Sequence, residues 1–293
     1  MKSIAIVAAS VLLLAGCSAA TPAPTDQRIQ IVASTDVYGS IAQAIGGSLV
    51  TVTSIISDPA QDPHSFEANA RVQLELSRAD IVIENGAGYD DFVDTMLHGL
   101  DNHDVTLLNV TTLSGKPMTA DFNEHLWYDF PTIERLVIQL VKTLAAASPA
   151  GTNTFQTNAQ NFAVRLAGLE SRTASLHQRF DGTPVAITEP VSGYLLAAAG
   201  LKVVSPRAFS AAIEEGTDVA PGVLNDTIAL FTQRKVDLLV YNAQTTGSQT
   251  QLVLQAAHKN KIPVIAVTET LPPGMDYLRW MGANLSAVER ALR

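Results

Sequence analysis

The segment RIQIVASTDVYGSIAQAIGGSLVTVTSII, residues 28–56, determines the class of fold that the sequence predicts. RIQIVAS is a short apolar run typical of a strand, and SLVTVTSII is a second run of the same kind. Between them, DVYGSIAQAIGG has a helical pattern, and Gly46 and Gly47 are well suited to end a helix. A strand, a helix and a strand at this spacing indicate a βαβ unit, in which the two strands run parallel.

The same alternation of strand-like and helix-like segments continues along the chain. The further strand-like runs are DIVIEN (80–85), DVTLLNV (104–110), PVAITE (184–189), LKVVS (201–205), VDLLVYN (236–242) and IPVIAVT (262–268). The longest helix-like segment extends from about Asn153 to Phe180, with apolar residues spaced four and three apart. We therefore predict an α/β fold with two βα-alternating lobes, each built on a roughly four-stranded parallel sheet. The long helix joins the lobes, and a ligand cleft lies between them.

The first residues have the pattern of a secretory signal followed by a lipid attachment site. The apolar run from Ile4 to Leu14 follows Lys2 and is too short for a membrane-spanning helix. The sequence Leu-Ala-Gly-Cys that ends at Cys17 resembles a bacterial lipobox, and Cys17 is the single cysteine of the chain. We therefore expect an extracytoplasmic protein that is lipid-anchored to the bacterial cell membrane. The alternative is a plain signal peptide with an incidental cysteine.

The signal sequence, the long helix and the two series of strands predict the domain organisation. Residues 1–16 are the signal peptide, 17–28 the lipidated cysteine with a flexible tether, 29–150 the N-terminal α/β lobe, 151–182 the linking helix and 183–293 the C-terminal α/β lobe. The formal net charge of the chain is −9, which argues against nucleic acid as a partner. An acidic protein of this kind is compatible with cationic ligands.

Four polar residues follow strands at the edge where open α/β sheets bind their ligands. In the first lobe, His64 lies in the loop after the second strand and His125 lies in the segment NEHLWYD. In the second lobe, Glu189 ends PVAITE and Glu269 follows IPVIAVT. Two imidazoles and two carboxylates from facing lobes suit a divalent transition metal, because imidazole suits zinc, copper, iron and nickel and carboxylate suits harder ions such as manganese. Four protein ligands make a closed binding site, whereas a catalytic zinc site keeps one position open for water.

Other polar residues are weaker candidates for the same cleft. Asp129, Tyr241 and Asn242 are candidates for hydrogen bonding to the ligand carboxylates, and Asp129 is alternatively a helix cap. Glu214, Glu215 and Asp218 form the acidic segment IEEGTD, which is typical of a solvated loop. The alternative is that it lines the mouth of the cleft and attracts cations, and it ranks below the four ligands. The remaining histidines are expected at the surface: His98, His103, His177 and His258.

Three segments resemble the motifs of the metal-binding lipoproteins of ABC importers, the cluster A-I solute-binding family. They are DPHSFE (62–67), NEHLWYD (123–129) and TEPVSGYLLAAAGL (188–201). The resemblance implies that His64, His125 and Glu189 bind the metal, and that Glu269 in VTETLP is the fourth ligand. The chain departs from the family pattern in two respects. Glu124 stands where a proline is common, and the His-rich loop of some zinc-binding members is missing before His125.

The resemblance implies a binding protein that captures Zn²⁺ or Mn²⁺ and delivers it to an ABC permease with its ATPase. It further implies a monomer with no enzymatic activity. Two alternatives come from other classes of protein, a metal-dependent hydrolase and a surface adhesin of the same fold. The hydrolase is disfavoured because the sequence contains neither His-Glu-x-x-His nor Gly-x-Ser-x-Gly. Nothing in the sequence favours the adhesin.

Overall fold

A computed structural model describes residues 28–58, 61, 66–100 and 104–293. Three residues named above, Cys17, His64 and His103, lie outside the described residues, as do the predicted signal peptide and all of the predicted tether except Arg28. Among the helices that are described, none is both long and apolar enough to cross a membrane.

Two parallel sheets form the framework of the molecule. The first contains β1 (Ile29–Thr35), β2 (Val50–Ile56), β3 (Ile81–Glu84) and β4 (Thr106–Asn109), in the order β2-β1-β3-β4. The second contains β5 (Pro184–Ile187), β6 (Lys202–Val203), β7 (Leu238–Asn242) and β8 (Val264–Val267), in the order β6-β5-β7-β8. Every pairing is parallel. The predicted α/β fold with two four-stranded parallel sheets is therefore confirmed.

Helices alternate with the strands in both lobes. The first lobe has α1 (Asp36–Gly46), α2 (Ala70–Ser77), α3 (Phe92–His98), α4 (Val110–Ser114) and α5 (Phe130–Ala147). The second has α7 (Gly193–Ala198), α8 (Arg207–Glu214), α9 (Pro221–Thr232), α10 (Ser248–Lys259) and α11 (Tyr277–Ala291). Between the lobes runs α6 (Thr152–Phe180), which matches the long helix of the sequence prediction. The sequence analysis did not predict α4 or α8, and it treated Glu214, the last residue of α8, as part of a solvated loop.

One continuous hydrophobic core extends through both lobes. It includes Ile31 and Ile83 of the first sheet together with Leu238 and Val240 of the second. The buried stripe of α6 belongs to the same core, and α6 packs against helices of both lobes, α1, α5 and α11. The buried residues of this stripe are Phe155, Phe162, Leu166, Leu169, Thr173 and Leu176. The linking helix thus lies along the surface of both lobes and contributes one buried stripe to their shared core, so it is not a free tether.

Candidate metal centre

The carboxyl ends of strands from the two lobes meet in a buried polar cluster. Three of the four predicted ligands are described, and their exposed fractions are small: 0% for His125, 5% for Glu189 and 2% for Glu269. His125 Nε2 lies 3.8 Å from Glu269 Oε2, although the histidine comes from the first lobe and the glutamate from the second. The structure therefore brings together the three described candidates from opposite sides of the cleft.

Asn242, the last residue of β7, holds the two second-lobe carboxylates beside each other. Its Nδ2 donates to Glu189 Oε2 at 3.0 Å and to Glu269 Oε1 at 2.7 Å. The backbone N–H of Asn242 donates to Thr188 Oγ1 at 3.0 Å, which fixes the end of β7 against the loop that carries Glu189. One side-chain amide thus supplies donors to two like-charged groups in a buried place, where unpaired charge is costly.

The other two candidates for hydrogen bonding to these carboxylates make different contacts. Asp129 caps α5, because its Oδ2 accepts from Thr132 N–H at 3.2 Å and from Thr132 Oγ1 at 2.5 Å. Its Oδ1 lies 3.2 Å from Lys116 Nζ. Tyr241 is half-buried and precedes Asn242 on β7, so its side chain points to the opposite face of the strand. Of the three residues, Asn242 is the one that touches the predicted ligands.

The orientation of the His125 ring is set by the loop that precedes it. Asn123 Oδ1 lies 2.7 Å from His125 Nδ1 and also accepts from the backbone N–H of His125 at 3.0 Å. Asn123 Nδ2 donates to the carbonyl oxygen of Pro190 at 2.9 Å, so the amide group has its oxygen towards the ring. Nδ1 therefore carries a proton, and Nε2, which faces Glu269, is the ring nitrogen left to bind a metal ion. Burial lowers the pKa of His125, but the hydrogen bond and the charge of Glu269 outweigh this effect, so the pKa lies above its ordinary value in the metal-free protein.

An aromatic wall supports this side of the cluster. Tyr89 donates from its hydroxyl to Glu269 Oε2 at 3.1 Å. Its ring packs against Trp127 with 4.9 Å between centroids, and the His125 ring lies 5.2 Å from Trp127. Trp127 is fully buried and packs in the interior beside the imidazole. The wall excludes water from the imidazole and limits the positions that the ring can take.

Glu214 reaches the cluster from the end of α8. Its Oε1 lies 3.8 Å from His125 Nδ1, and an oxygen of Glu124 lies within 4.8 Å of both groups. Glu215 and Asp218, the other acidic residues of the same segment, are exposed. The sequence pattern did not indicate α8, and so it did not separate Glu214 from the exposed residues Glu215 and Asp218. The buried residues Phe209 and Ile213, four positions apart, are the helical signal that was available.

Burial also controls the charge of these carboxyl groups. It raises the pKa of Glu189 to about 7, and the hydrogen bond from Asn242 opposes the shift. It raises the pKa of Glu214 to about 8, where His125 opposes the shift and the neighbouring carboxylates add to it. The Oε1 atoms of both residues are buried and have no hydrogen-bond partner among the described residues. A divalent cation would supply the positive charge that this group of oxygens lacks.

A cleft of about 720 Å³ opens between the lobes beside this cluster. Its lining includes Asn123, Glu124, Pro190, Glu214 and Thr245, so that residues of both lobes form the entrance. A second cavity of about 760 Å³ lies at the opposite end of the first sheet, lined in part by Asp80, Asp104 and Lys142, and contains none of the described candidate ligands. The three described surface histidines, His98, His177 and His258, are exposed as predicted. The cluster of His125, Glu189 and Glu269 is therefore the candidate metal centre.

Comparisons with known proteins agree with this geometry. The family profile described as "Zinc-uptake complex component A periplasmic" (ZnuA) matches residues 31–291. The manganese-binding lipoprotein MntA of Bacillus subtilis is 22% identical over 256 residues, covering 83% of this chain and 81% of that protein. The iron-binding protein YfeA of Yersinia pestis is also 22% identical, over 287 residues, with 95% and 82% covered.

The fold is likewise found among solved structures. The periplasmic zinc-binding protein TroA of Treponema pallidum superposes with a TM-score of 0.76 at 17% identity, covering 90% of this chain and 99% of that one. At this level of identity the likeness shows the fold alone. The family is established by the profile, which spans nearly all of the described residues. The chain belongs to the ZnuA family, the metal-binding substrate-binding proteins of ABC importers, which are not enzymes.

Proposed function

We propose that this protein captures a divalent transition metal ion, Zn²⁺ or Mn²⁺, and delivers it to the permease of an ABC importer. The observation that supports the proposal is a buried cluster in which His125 Nε2 of the first lobe lies beside the carboxylates of Glu189 and Glu269 of the second lobe. Imidazole nitrogen and carboxylate oxygen together suit metals of this class. His64 is proposed as the fourth ligand on the resemblance of DPHSFE to the family motif.

The proposed ligands indicate a divalent transition metal, and they suit both Zn²⁺ and Mn²⁺. Two imidazoles and two carboxylates allow tetrahedral Zn²⁺, and bidentate carboxylates allow the higher coordination number of Mn²⁺. The relatives named above bind manganese, iron and zinc by their descriptions. Zn²⁺ binds such ligands more tightly than Mn²⁺ does, so the metal that the cell makes available decides what the protein carries.

The proposed place of action is the outer face of the cell membrane. MntA of Bacillus subtilis is described as a lipoprotein, and the lipobox-like segment before Cys17 supports the same arrangement for this chain. Lipid on Cys17 would anchor a monomer beside its permease, with the ATPase on the other side of the membrane. Cys17→Ser is expected to release the protein from the membrane fraction or block its processing. Unchanged fractionation would contradict the proposed anchor.

Calorimetry on metal-stripped protein tests the proposed function. The wild type is expected to bind one Zn²⁺ or Mn²⁺ ion, and His125→Ala is expected to lose most of that affinity. His64→Ala tests the fourth ligand in the same way. His177→Ala is the matched control, because His177 is an exposed histidine on α6. A wild type that binds neither metal, or a His125→Ala variant that binds as well as the control, would contradict the proposal.

A further inference from the structure

We propose that Glu214 is a positioning residue of the metal centre and acts on the bound cation through His125. This inference rests on the proposed function. Glu214 Oε1 lies 3.8 Å from Nδ1 of His125, whereas Glu269 lies 3.8 Å from Nε2. The two glutamates therefore approach different nitrogens of one ring, and Nε2, which faces Glu269, is the nitrogen left for the cation because Nδ1 donates to Asn123. Glu214 thus lies on the Nδ1 side of the His125 ring, away from the ion that Nε2 would bind.

A carboxylate behind a metal-binding imidazole has a defined physical effect. An imidazole that binds a cation loses electron density to it, and a negative charge near the opposite nitrogen stabilises that change. Asn123 Oδ1, at 2.7 Å from Nδ1, already holds the ring in the required tautomer. A cation bound nearby favours the ionised form of Glu214, whose pKa is raised in the metal-free protein, and the carboxylate then adds the charge that the neutral amide of Asn123 lacks. It acts at an ion-pair distance, since 3.8 Å is too long for a hydrogen bond.

The local structure holds Glu214 in this position. Phe209 and Ile213 are buried and attach α8 to the core of the second lobe, which leaves Glu214 at the helix end towards the cleft. At the other end of α8, Arg207 forms an ion pair with Asp121 and donates to the carbonyl oxygen of Ala120 at 2.8 Å. Both ends of α8 thus contact the first-lobe segment that leads to His125.

The surroundings of Glu214 indicate that its position is not incidental. Its side chain is 17% exposed, and its Oε1 is buried with no hydrogen-bond partner among the described residues. A carboxylate oxygen of Glu124, which has the same sign of charge, lies within 4.8 Å of Glu214 and of a ring nitrogen of His125. A surface glutamate would turn towards water in such a place, as Glu215 does one residue further on. Because Glu214 belongs to the opposite lobe, the affinity of His125 for metal depends on how closely the lobes meet.

The test compares Glu214→Gln with Glu215→Gln, which makes the same chemical change one residue further on at an exposed position. Glu214→Gln removes the charge and keeps the size, and it is expected to weaken Zn²⁺ binding by about tenfold to a hundredfold. Glu215→Gln is expected to bind as the wild type does. The ¹⁵N chemical shifts of the His125 ring should change in Glu214→Gln alone, whereas a merely structural role would leave them unchanged. Equal melting temperatures of the metal-free variants would show that both are folded.

The possible results separate this inference from the proposed function. If the wild type binds neither Zn²⁺ nor Mn²⁺, the proposed function is wrong and this inference falls with it. If the wild type binds metal and the two variants bind equally well, the inference alone is overturned. It is also overturned if Glu214→Gln loses binding as completely as His125→Ala, because Glu214 would then be a direct ligand. Weakened binding with altered His125 shifts supports it.

Discussion

Asn242 shows how a single side chain makes a buried pair of carboxylates possible. Its one amide nitrogen donates to both Glu189 and Glu269, and it also lies 3.2 Å from Thr245 Oγ1. Without these donors, the two buried acidic groups would face each other with fewer hydrogen-bond donors, among which is the hydroxyl group of Tyr89 from the first lobe. Like charges in a buried site raise the free energy of the folded state unless donors or a cation compensate.

We therefore expect Asn242→Ala to lower the free energy of unfolding of the metal-free protein by about 2 kcal/mol, since hydrogen bonds to charged groups are lost. Metal should recover part of this loss, because the cation takes over the compensation. Denaturant unfolding with and without Zn²⁺ measures both effects. Asn225→Ala, at an exposed position of α9, is the control. A loss of the same size with and without metal would contradict this account.

Glu84 is a further buried carboxyl group, which lies at the end of β3 and apart from the candidate metal centre. It is 2% exposed, and burial raises its pKa from 4.5 to about 7, while the hydrogen bond from Asn109 opposes the shift. The folded state therefore binds this proton more tightly than the unfolded state. The stabilisation is complete below the ordinary value of 4.5 and is lost as the pH rises through about 7.

Glu84→Gln is expected to remove this contribution to the pH dependence. The melting temperature of the metal-free wild type should fall, relative to that of the variant, as the pH is raised from below 4.5 to above about 7. Thermal unfolding at a series of pH values measures the difference. Glu67→Gln, at an exposed position, should stay parallel to the wild type throughout. A difference between wild type and Glu84→Gln that does not change with pH would show that Glu84 titrates normally.

The candidate ligands were chosen where a strand end or a short motif marked them, and their assignment as ligands stays a prediction. His125, Glu189 and Glu269 follow predicted strands or motifs, and the structure brings them together. Glu214 was ranked low because its position depends on α8 and on the approach of the other lobe. The contact of Asn123 with Pro190 joins residues 67 positions apart, and no local pattern reports such a distance.

At the scale of secondary structure, predictability followed length and periodicity. The 29 residues of α6 were expected from apolar spacings of four and three, bounded by Pro149 and Gly182. The 8 residues of α8 contain too few turns for the same signal to stand out. Strand β6 was expected over LKVVS but pairs only at Lys202 and Val203, both exposed at the sheet edge. Short elements depend on tertiary contacts more than on local sequence.

Leu166 of α6 tests whether the linking helix stabilises both lobes together. It is 4% exposed and belongs to the continuous core, so Leu166→Ala should lower the free energy of unfolding by about 2–5 kcal/mol. Because the core is shared, unfolding should remain a single transition for both lobes. Val164→Ala, two residues earlier and 75% exposed, should change little. Two separate transitions in Leu166→Ala would show that the lobes are independent units.

At the scale of the whole molecule, the lobes are held by more than the linking helix. Leu271 N–H donates to Asp36 Oδ1 at 3.1 Å, Tyr277 OH to the carbonyl oxygen of Trp127 at 2.7 Å, and Tyr128 OH to that of Thr268 at 2.9 Å. These bonds link the start of α11 and the segment before it to the first lobe. The sequence predicted two lobes and one connecting helix, but it did not show that their apolar faces join into one core, because that depends on how the lobes pack.

This shared core limits how far the lobes can move when metal binds. A hinge closure would have to break the buried hydrogen bonds of Tyr277 and Tyr128 and expose part of a close-packed interior. We therefore expect small displacements, confined to cleft segments such as 214–221. Double electron–electron resonance measures the separation of the lobes between spin labels at Gln73 of α2 and Gln255 of α10, which are both exposed. The labels are introduced in a Cys17→Ser background. The distance distributions of metal-free and metal-loaded protein should overlap. A displaced distribution on loading, like that of a hinge-type binding protein, would show that the shared core opens and that metal capture is coupled to large-scale closure.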